Sequence, residues 1–214
     1  MPAMTEHTCN VAIVYYSATG TIFALAGALR AGAADTGADV RMRRVEETAP
    51  PQAIARNDAW IAHLAGTAHI PVVTHDDLLW ADAIVFGTPA RFGNVASQLK
   101  QFMDTLSGLW MRDLLCDKVY SGFTSTASAH GGQESTLLAL YNSVYHFGGV
   151  LVPPGYKDHV HDSAGNPYGA SHVTGDDGSI PVDEIALNAA RFQGQRVATM
   201  AAALKTGLTA LVAG

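Results

Sequence analysis

Basic residues and cysteines are both scarce in this chain, and each shortage removes a class of function. Lys and Arg together number 13 against 19 Asp and Glu, for a formal net charge of −6. They gather in no stripe, so nucleic acid is not an expected partner. The two cysteines, Cys9 and Cys116, lie far apart. They form neither a disulfide framework nor a close-spaced metal motif, and the expectation is free thiols in a reducing compartment. No apolar run approaches the length that crosses a bilayer, so membrane insertion is not expected. The opening residues Met1–Thr8 lack a basic stretch followed by an apolar one, and a cytoplasmic location is the resulting expectation. Missing too are the Walker loop, the Gly-x-Gly-x-x-Gly fingerprint, the Gly-x-Ser-x-Gly elbow and the zinc-protease helix. What remains is 214 residues, 48% hydrophobic and 15% charged, enough for one α/β domain with a full core.

The informative stretch is Val11-Ala-Ile-Val-Tyr-Tyr-Ser17-Ala18-Thr19-Gly20-Thr21-Ile22. A β-branched apolar run breaks into a Gly- and hydroxyl-bearing turn, and helical spacing begins at once through Ile22, Leu25, Ala26 and Leu29. Strand, loop and helix N-terminus together make an anion site: outward N–H groups, a favourable dipole and nearby hydroxyls. The loop contains no Lys or Arg, so it suits one compact phosphate held by neutral donors.

The rest of the chain repeats the alternation. Asp39–Val45 reads as an edge strand carrying Arg41 and Arg43 on one face. From Glu46 to Trp80 the pattern weakens: Pro50-Pro51 stops regular structure, Ala53–Leu64 has helical character and Ile70–Val73 is extended. Asp82–Gly87 is a buried strand that opens into a loop, Thr88–Asn94, followed by a helix over 95–106. Gly108 is expected to end that helix, leaving Leu109-Trp110-Met111 in a loop. Lys118–Ser125 is the next strand, and the helix after it stops at Gly148-Gly149. Val150–Val152 begins a fifth strand cut off by Pro153-Pro154. Tyr156–Pro181 reads as a long loop with room for a small hairpin, and a final helix runs from about Val182 to Lys205. This predicts a single domain, a doubly wound five-stranded parallel sheet in the order 2-1-3-4-5 with helices on both faces, and inserted segments at 46–80 and 153–182. In such a sheet the loops Ser17–Ile22, Thr88–Asn94 and Ser125–Gly132 converge at the switch point.

Several stretches together resemble one family. They are the Ser-x-Thr-Gly-x turn after the first apolar strand, Gly87-Thr-Pro-Ala-Arg-Phe-Gly-Asn94, Gly108-Leu-Trp110, Ser125-Thr-Ala-Ser-Ala-His-Gly-Gly-Gln-Glu134, Asn166-Pro-Tyr-Gly-Ala170, Gly175-Asp-Asp-Gly-Ser179 and Ala190-Arg-Phe-Gln-Gly194. From about Val11 to Leu204 the chain resembles the WrbA-type NAD(P)H:quinone oxidoreductases, FMN enzymes on a flavodoxin-like fold. The resemblance implies FMN as cofactor, NADH or NADPH as reductant, a small-molecule quinone as acceptor and a homotetramer whose flavin sites are completed by neighbouring subunits. It implies that Ser17, Ala18, Thr19, Gly20, Thr21 and Ile22 hold the FMN phosphate. Pro89, Ala90, Arg91, Phe92, Gly93 and Asn94 would run beside the isoalloxazine ring, as would Ser125, Thr126, Ala127, Ser128, Ala129, His130 and Gly131. His146 would contact the flavin, and Trp110, Thr19 and His146 would line the substrate pocket. No catalytic side chain is implied, since the flavin carries the chemistry.

Three departures stand out. The family commonly has an aromatic where this chain has Thr19; the Ser125–Gly131 loop is one residue longer than usual; and 66–80 differs in composition. His159-Val-His161, flanked by Asp158 and Asp162, has the look of a metal pair, but no further ligands occur at recognisable spacing, so no metal is expected. Two other readings fit the same residues, a flavodoxin-type electron carrier and a flavin-binding signalling protein without turnover.

Overall fold

The computed structural model describes residues 9–157 and 165–213. The core strands are β1 (Asn10–Tyr15), β2 (Asp39–Arg44), β3 (Ala83–Arg91) and β5 (Val119–Thr126). They lie side by side as β2-β1-β3-β5, all parallel, with β6 (Val150–Leu151) beyond β5. Along β1 the side chains alternate strictly. Val11, Ile13 and Tyr15 enter one core with α1 (Thr21–Ala34) and α8 (Glu184–Ala213). Ala12, Val14 and Tyr16 enter a second core with α4 (His75–Trp80), α5 (Ser97–Asp104), α6 (Ser107–Trp110) and α7 (Gln133–Phe147). A sheet buried on both faces is why β1, β3 and β5 read as nearly continuous apolar runs. The predicted fold class, strand order and helices on both faces are those observed.

α1 and α8 pack unusually close. A Cβ on Gly32 would sit 1.9 Å from the Arg191 carbonyl oxygen, and one on Gly194 would sit 2.1 Å from that of Leu29. Only hydrogen fits at either position, which gives the Gly194 of the Ala190–Gly194 motif its physical reason.

Four expectations need correction. First, Thr88–Asn94 is not an open loop: β3 runs on to Arg91, and β4 (Asn94–Val95) folds back on it as a hairpin. Pro89 is tolerated in β3 because β1 stops pairing at Gly87, so no ladder bond on that side is lost. Second, Gly108 lies inside α6, and Trp110 is therefore helical. Third, Tyr156–Pro181 holds no hairpin among its described residues; β7 (Ser171–Val173) instead pairs in parallel with Thr124–Thr126 of β5. The fifth strand is thus split, with β6 on the lower half of β5 and β7 on the upper half. Fourth, Pro51 does not stop structure but starts α2 (Pro51–Ile54), with α3 (Asp58–Gly66) following.

The gap in the split strand is closed by Gln193, which is fully buried. Its amide nitrogen donates to the Ser121 hydroxyl at 2.7 Å and the Gly122 carbonyl at 2.8 Å, and its oxygen accepts from the Ala170 N–H at 2.8 Å. A glutamine can satisfy a carbonyl and an N–H at once, which is what two unpaired strand edges require.

The segment 46–80 covers the β2 edge. Asp77 accepts from Arg41 at 3.2 Å and Arg43 at 3.0 Å, and it closes a capping box with Thr74 at the start of α4. The Arg41 guanidinium also lies 4.0 Å over the Trp80 ring. Burial alone would raise the Asp77 pKa, but the Thr74 N–H and the Arg43 guanidinium outweigh it and hold the carboxyl below its ordinary value.

Candidate flavin site

Backbone register brings three loops to one rim. Tyr15 of β1 pairs with Gly87 of β3, and the Tyr16 N–H donates to the Gly87 carbonyl at 3.0 Å. Pro89 of β3 stands opposite Ser125 of β5. The ends of β1, β3 and β5 therefore open side by side.

In the first loop Gly20 adopts φ +109°, a conformation open to glycine but strained for other residues, and serves as N-cap of α1. The buried Ser17 hydroxyl accepts from the Gly20 N–H at 3.1 Å and the Phe23 N–H at 3.4 Å, which draws the loop over the helix start. The N–H groups of Thr21 and Ile22 have no intrahelical acceptor by helix geometry, and Thr19 is exposed beside them. Ala18 packs partly buried against the second core. This is a neutral donor set, suited to a phosphate monoester.

The second loop is the β3–β4 hairpin. Its two turn residues, Phe92 (φ 54°) and Gly93 (φ 72°), both have positive φ, the signature of a type I′ turn. A bulky non-glycine residue rarely takes that conformation, and Phe92 is also fully exposed. An aromatic held in strained backbone and presented to solvent marks a place where a flat apolar partner is expected. Arg91 turns its guanidinium back to the Ala90 carbonyl (3.0 Å), and Asn94 caps its own Val95 N–H (2.9 Å).

The third loop is anchored at Thr126. Its hydroxyl donates to the Ser128 carbonyl at 2.8 Å and accepts from Gln133, whose other end takes the Ser171 hydroxyl proton at 2.6 Å. Asn166 in turn donates to Ser171 at 3.0 Å. Ser125 and Thr126 are buried, while Ala127, Ser128, Ala129 and His130 are exposed and Gly131 is half-buried. The second and third loops touch: a Cβ on Gly132 would lie 2.8 Å from the Gly93 Cα. The residues present therefore fit a mononucleotide with a phosphate at Ser17–Ile22 and a planar ring along the neighbouring loops.

Trp110 and His146 lie together, but elsewhere. The Trp110 indole N–H donates to the His146 carbonyl at 2.7 Å. His146 is in the last turn of α7, next to Gly148, whose carbonyl accepts from Asp117 just before β5 begins. α7 has 15 residues, so this pair stands roughly 20 Å below the rim of its own chain. The suspected metal ligands His159 and His161 lie outside the described residues.

Sequence reading missed three contributors. Gln133, inside the Ser125–Glu134 stretch but given no role there, and Ser171, just past the Asn166–Ala170 motif, brace the third loop from the side. His63, on α3, reaches the first loop: a Cβ on Gly20 would lie 3.6 Å from its Nδ1. Nothing in the sequence links residue 63 to residue 20.

Residues 11–158 match the family model described as NADPH-dependent FMN reductase. Among curated proteins, the chain is 48% identical over 163 residues to a NAD(P)H dehydrogenase (quinone) of Deinococcus radiodurans, covering 76% of this chain and 82% of that one. It is 43% identical over 207 residues to a protein of the same name from Aromatoleum aromaticum, covering 94% and 100%. Among solved structures, a WrbA-like flavodoxin from Agrobacterium tumefaciens superposes with a TM-score of 0.62 at 28% identity, over 90% of this chain and 97% of the other. A Megasphaera elsdenii flavodoxin, 19% identical with a TM-score of 0.53 over 88% and 98%, shares the fold. The chain belongs to the NADPH-dependent FMN reductase family, among relatives named NAD(P)H dehydrogenase (quinone).

Proposed function

We infer that this protein is an FMN-dependent NAD(P)H:quinone oxidoreductase. FMN held at this rim would supply the chemistry, a hydride taken from NAD(P)H and then given, with a proton from water, to a quinone to leave the hydroquinone. The observation that carries the reading is the rim itself, where a cation-free phosphate loop, a strained hairpin bearing Phe92 and a braced third loop meet. Ser17 takes the Gly20 N–H and so orients the first loop that the N–H groups of Thr21 and Ile22 meet the phosphate. Pro89–Asn94 and Ser125–Gly131 flank the ring and keep water from one of its faces. Thr19 stands exposed beside the phosphate loop, open to the nicotinamide. Since nicotinamide and quinone share one pocket in this reading, turnover is ping-pong.

Trp110 and His146 reach such a pocket only in a neighbouring copy, because their own rim is a helix length away. The exposure of Trp110, Met111 and Tyr145 around them supports an assembly that covers this surface, and a homotetramer is the proposed form. No helix among the described residues is long and apolar enough to cross a membrane, and the cytoplasm is the proposed location.

The test is anaerobic stopped-flow mixing of FMN-loaded protein with NADH or NADPH. Rapid bleaching of the visible flavin absorbance, recovery on adding quinone and parallel double-reciprocal plots are expected. Bound FMN that NAD(P)H leaves coloured would identify a one-electron carrier instead, and intersecting plots would reject the shared pocket. Light scattering reads the oligomer on the same samples.

A further inference from the structure

The phosphate loop has no cation of its own, yet a titratable ring stands against it. His63 sits over Gly20 and packs edge-on against Phe23 of α1, with ring centroids 5.6 Å apart. The same ring lines a cleft behind the loop together with Ser17, Tyr15, Tyr16, Arg44 and Glu47. Polar groups stand among apolar ones in that cleft. The Tyr15 hydroxyl, on a residue 1% exposed, is buried there without a hydrogen-bonding partner among the described residues.

The charges facing His63 are nearly all committed to other groups. Arg44, at the end of β2, donates through Nε to the Ile70 carbonyl at 3.0 Å. Glu47 accepts from the Tyr16 hydroxyl, the Trp60 indole and the Gln98 amide. The first turn of α1 carries no acidic residue, and on α3 itself Asp58 lies in the opposite first turn. The ring is thus free to respond to whatever anion enters the loop.

We propose that His63 is a further cofactor-binding residue, delivered by the segment between β2 and β3, which takes up a proton from water as a phosphate monoester binds at Ser17–Ile22. The proposal rests on FMN being the cofactor. In the protein without phosphate, burial lowers the His63 pKa, so the ring is neutral near pH 7. A dianion close to it favours the charged form and moves the pKa back up. Binding is then coupled to protonation, and the contribution of His63 grows as pH falls from the bound-state pKa toward the free-state one.

The test compares wild type with His63→Gln by flavin fluorescence quenching at about pH 8 and about pH 6. The ratio of the two Kd values cancels the titration of the phosphate itself, which falls in the same range. The ratio is expected to be about twofold to fivefold larger at the lower pH, on its way to the limit of about threefold to tenfold that half to one pKa unit of coupling reaches below the free-state pKa. Riboflavin, which lacks the phosphate, should show a ratio near one at both pH values. On wild type alone, NMR titration of the His63 ring should move upward by a similar amount when FMN or inorganic phosphate is added. A ratio independent of pH together with an unmoved His63 titration overturns the proposal while leaving FMN binding intact. Failure of wild type to take up FMN at either pH overturns the functional reading, and this proposal with it.

Discussion

The two inserted segments brace the same rim with different chemistry. The first, 46–80, is mounted on ions: Asp77 between two arginines of β2, and Glu47 beneath Tyr16. The second, 153–182, is mounted on neutral groups: Gln193 across the split strand, then Asn166, Ser171 and Gln133 in series to Thr126. An ionic mount loses its hold when a proton neutralises it, whereas an amide does not. The first and third loops should therefore answer differently to acid although both serve one site.

The largest effect is expected at Gln193. Replacing it by Leu leaves the Ala170 N–H and the Gly122 carbonyl buried without partners, a loss of about 3 kcal/mol by urea unfolding. That loss should hold constant from neutral pH to about pH 4, and a loss that varies with pH would break the contrast. Next comes Asp77→Asn, at about 2 kcal/mol near neutrality, since the one amide oxygen can accept from Arg43 or from the Thr74 N–H but not from both, and the charge is gone. Here the sign of the pH dependence is fixed. The folded pKa lies below the ordinary carboxylate value, so the stabilisation is present above that value and fades as pH falls through the folded pKa. Wild type and variant should converge in acid, and a gap that persists there would place Asp77 among the neutral mounts. The smallest effect is expected at Ser171→Ala, about 1 kcal/mol, because two bonds go but water can reach half-buried Gln133, and Asn166 keeps its bond to the Tyr168 N–H. Its sharper readout is FMN affinity, which should weaken as the Gln133–Thr126 link loosens. An unchanged Kd would detach the second segment from the site.

The alternation of apolar strands with capped helices made the sheet order readable, because period and turn chemistry are local. The rim loops were readable for the same reason: Gly20, Gly93 and Gly132 sit where the chain itself must turn. The split of the fifth strand was not, since Ser171–Val173 is three residues long and owes its place to Gln193, twenty residues further on. His63 escaped as well, being brought to Gly20 by packing on Phe23 and not by any spacing. The separation of Trp110 and His146 from the rim needed the direction of α7, which no motif encodes. Where a side chain acts across the fold, composition and period are silent.

Chain departs from the sheet at Val152 and rejoins it at Ala170, and both junctions bond to β5 or to Gln193. Between them the described residues pair with no strand, though Asn166 donates to Ser171 and the Tyr168 carbonyl accepts from Tyr141. A change of length between 153 and 165 that keeps both junctions, Asn166 and Gly169 should therefore leave the platform beneath as it is.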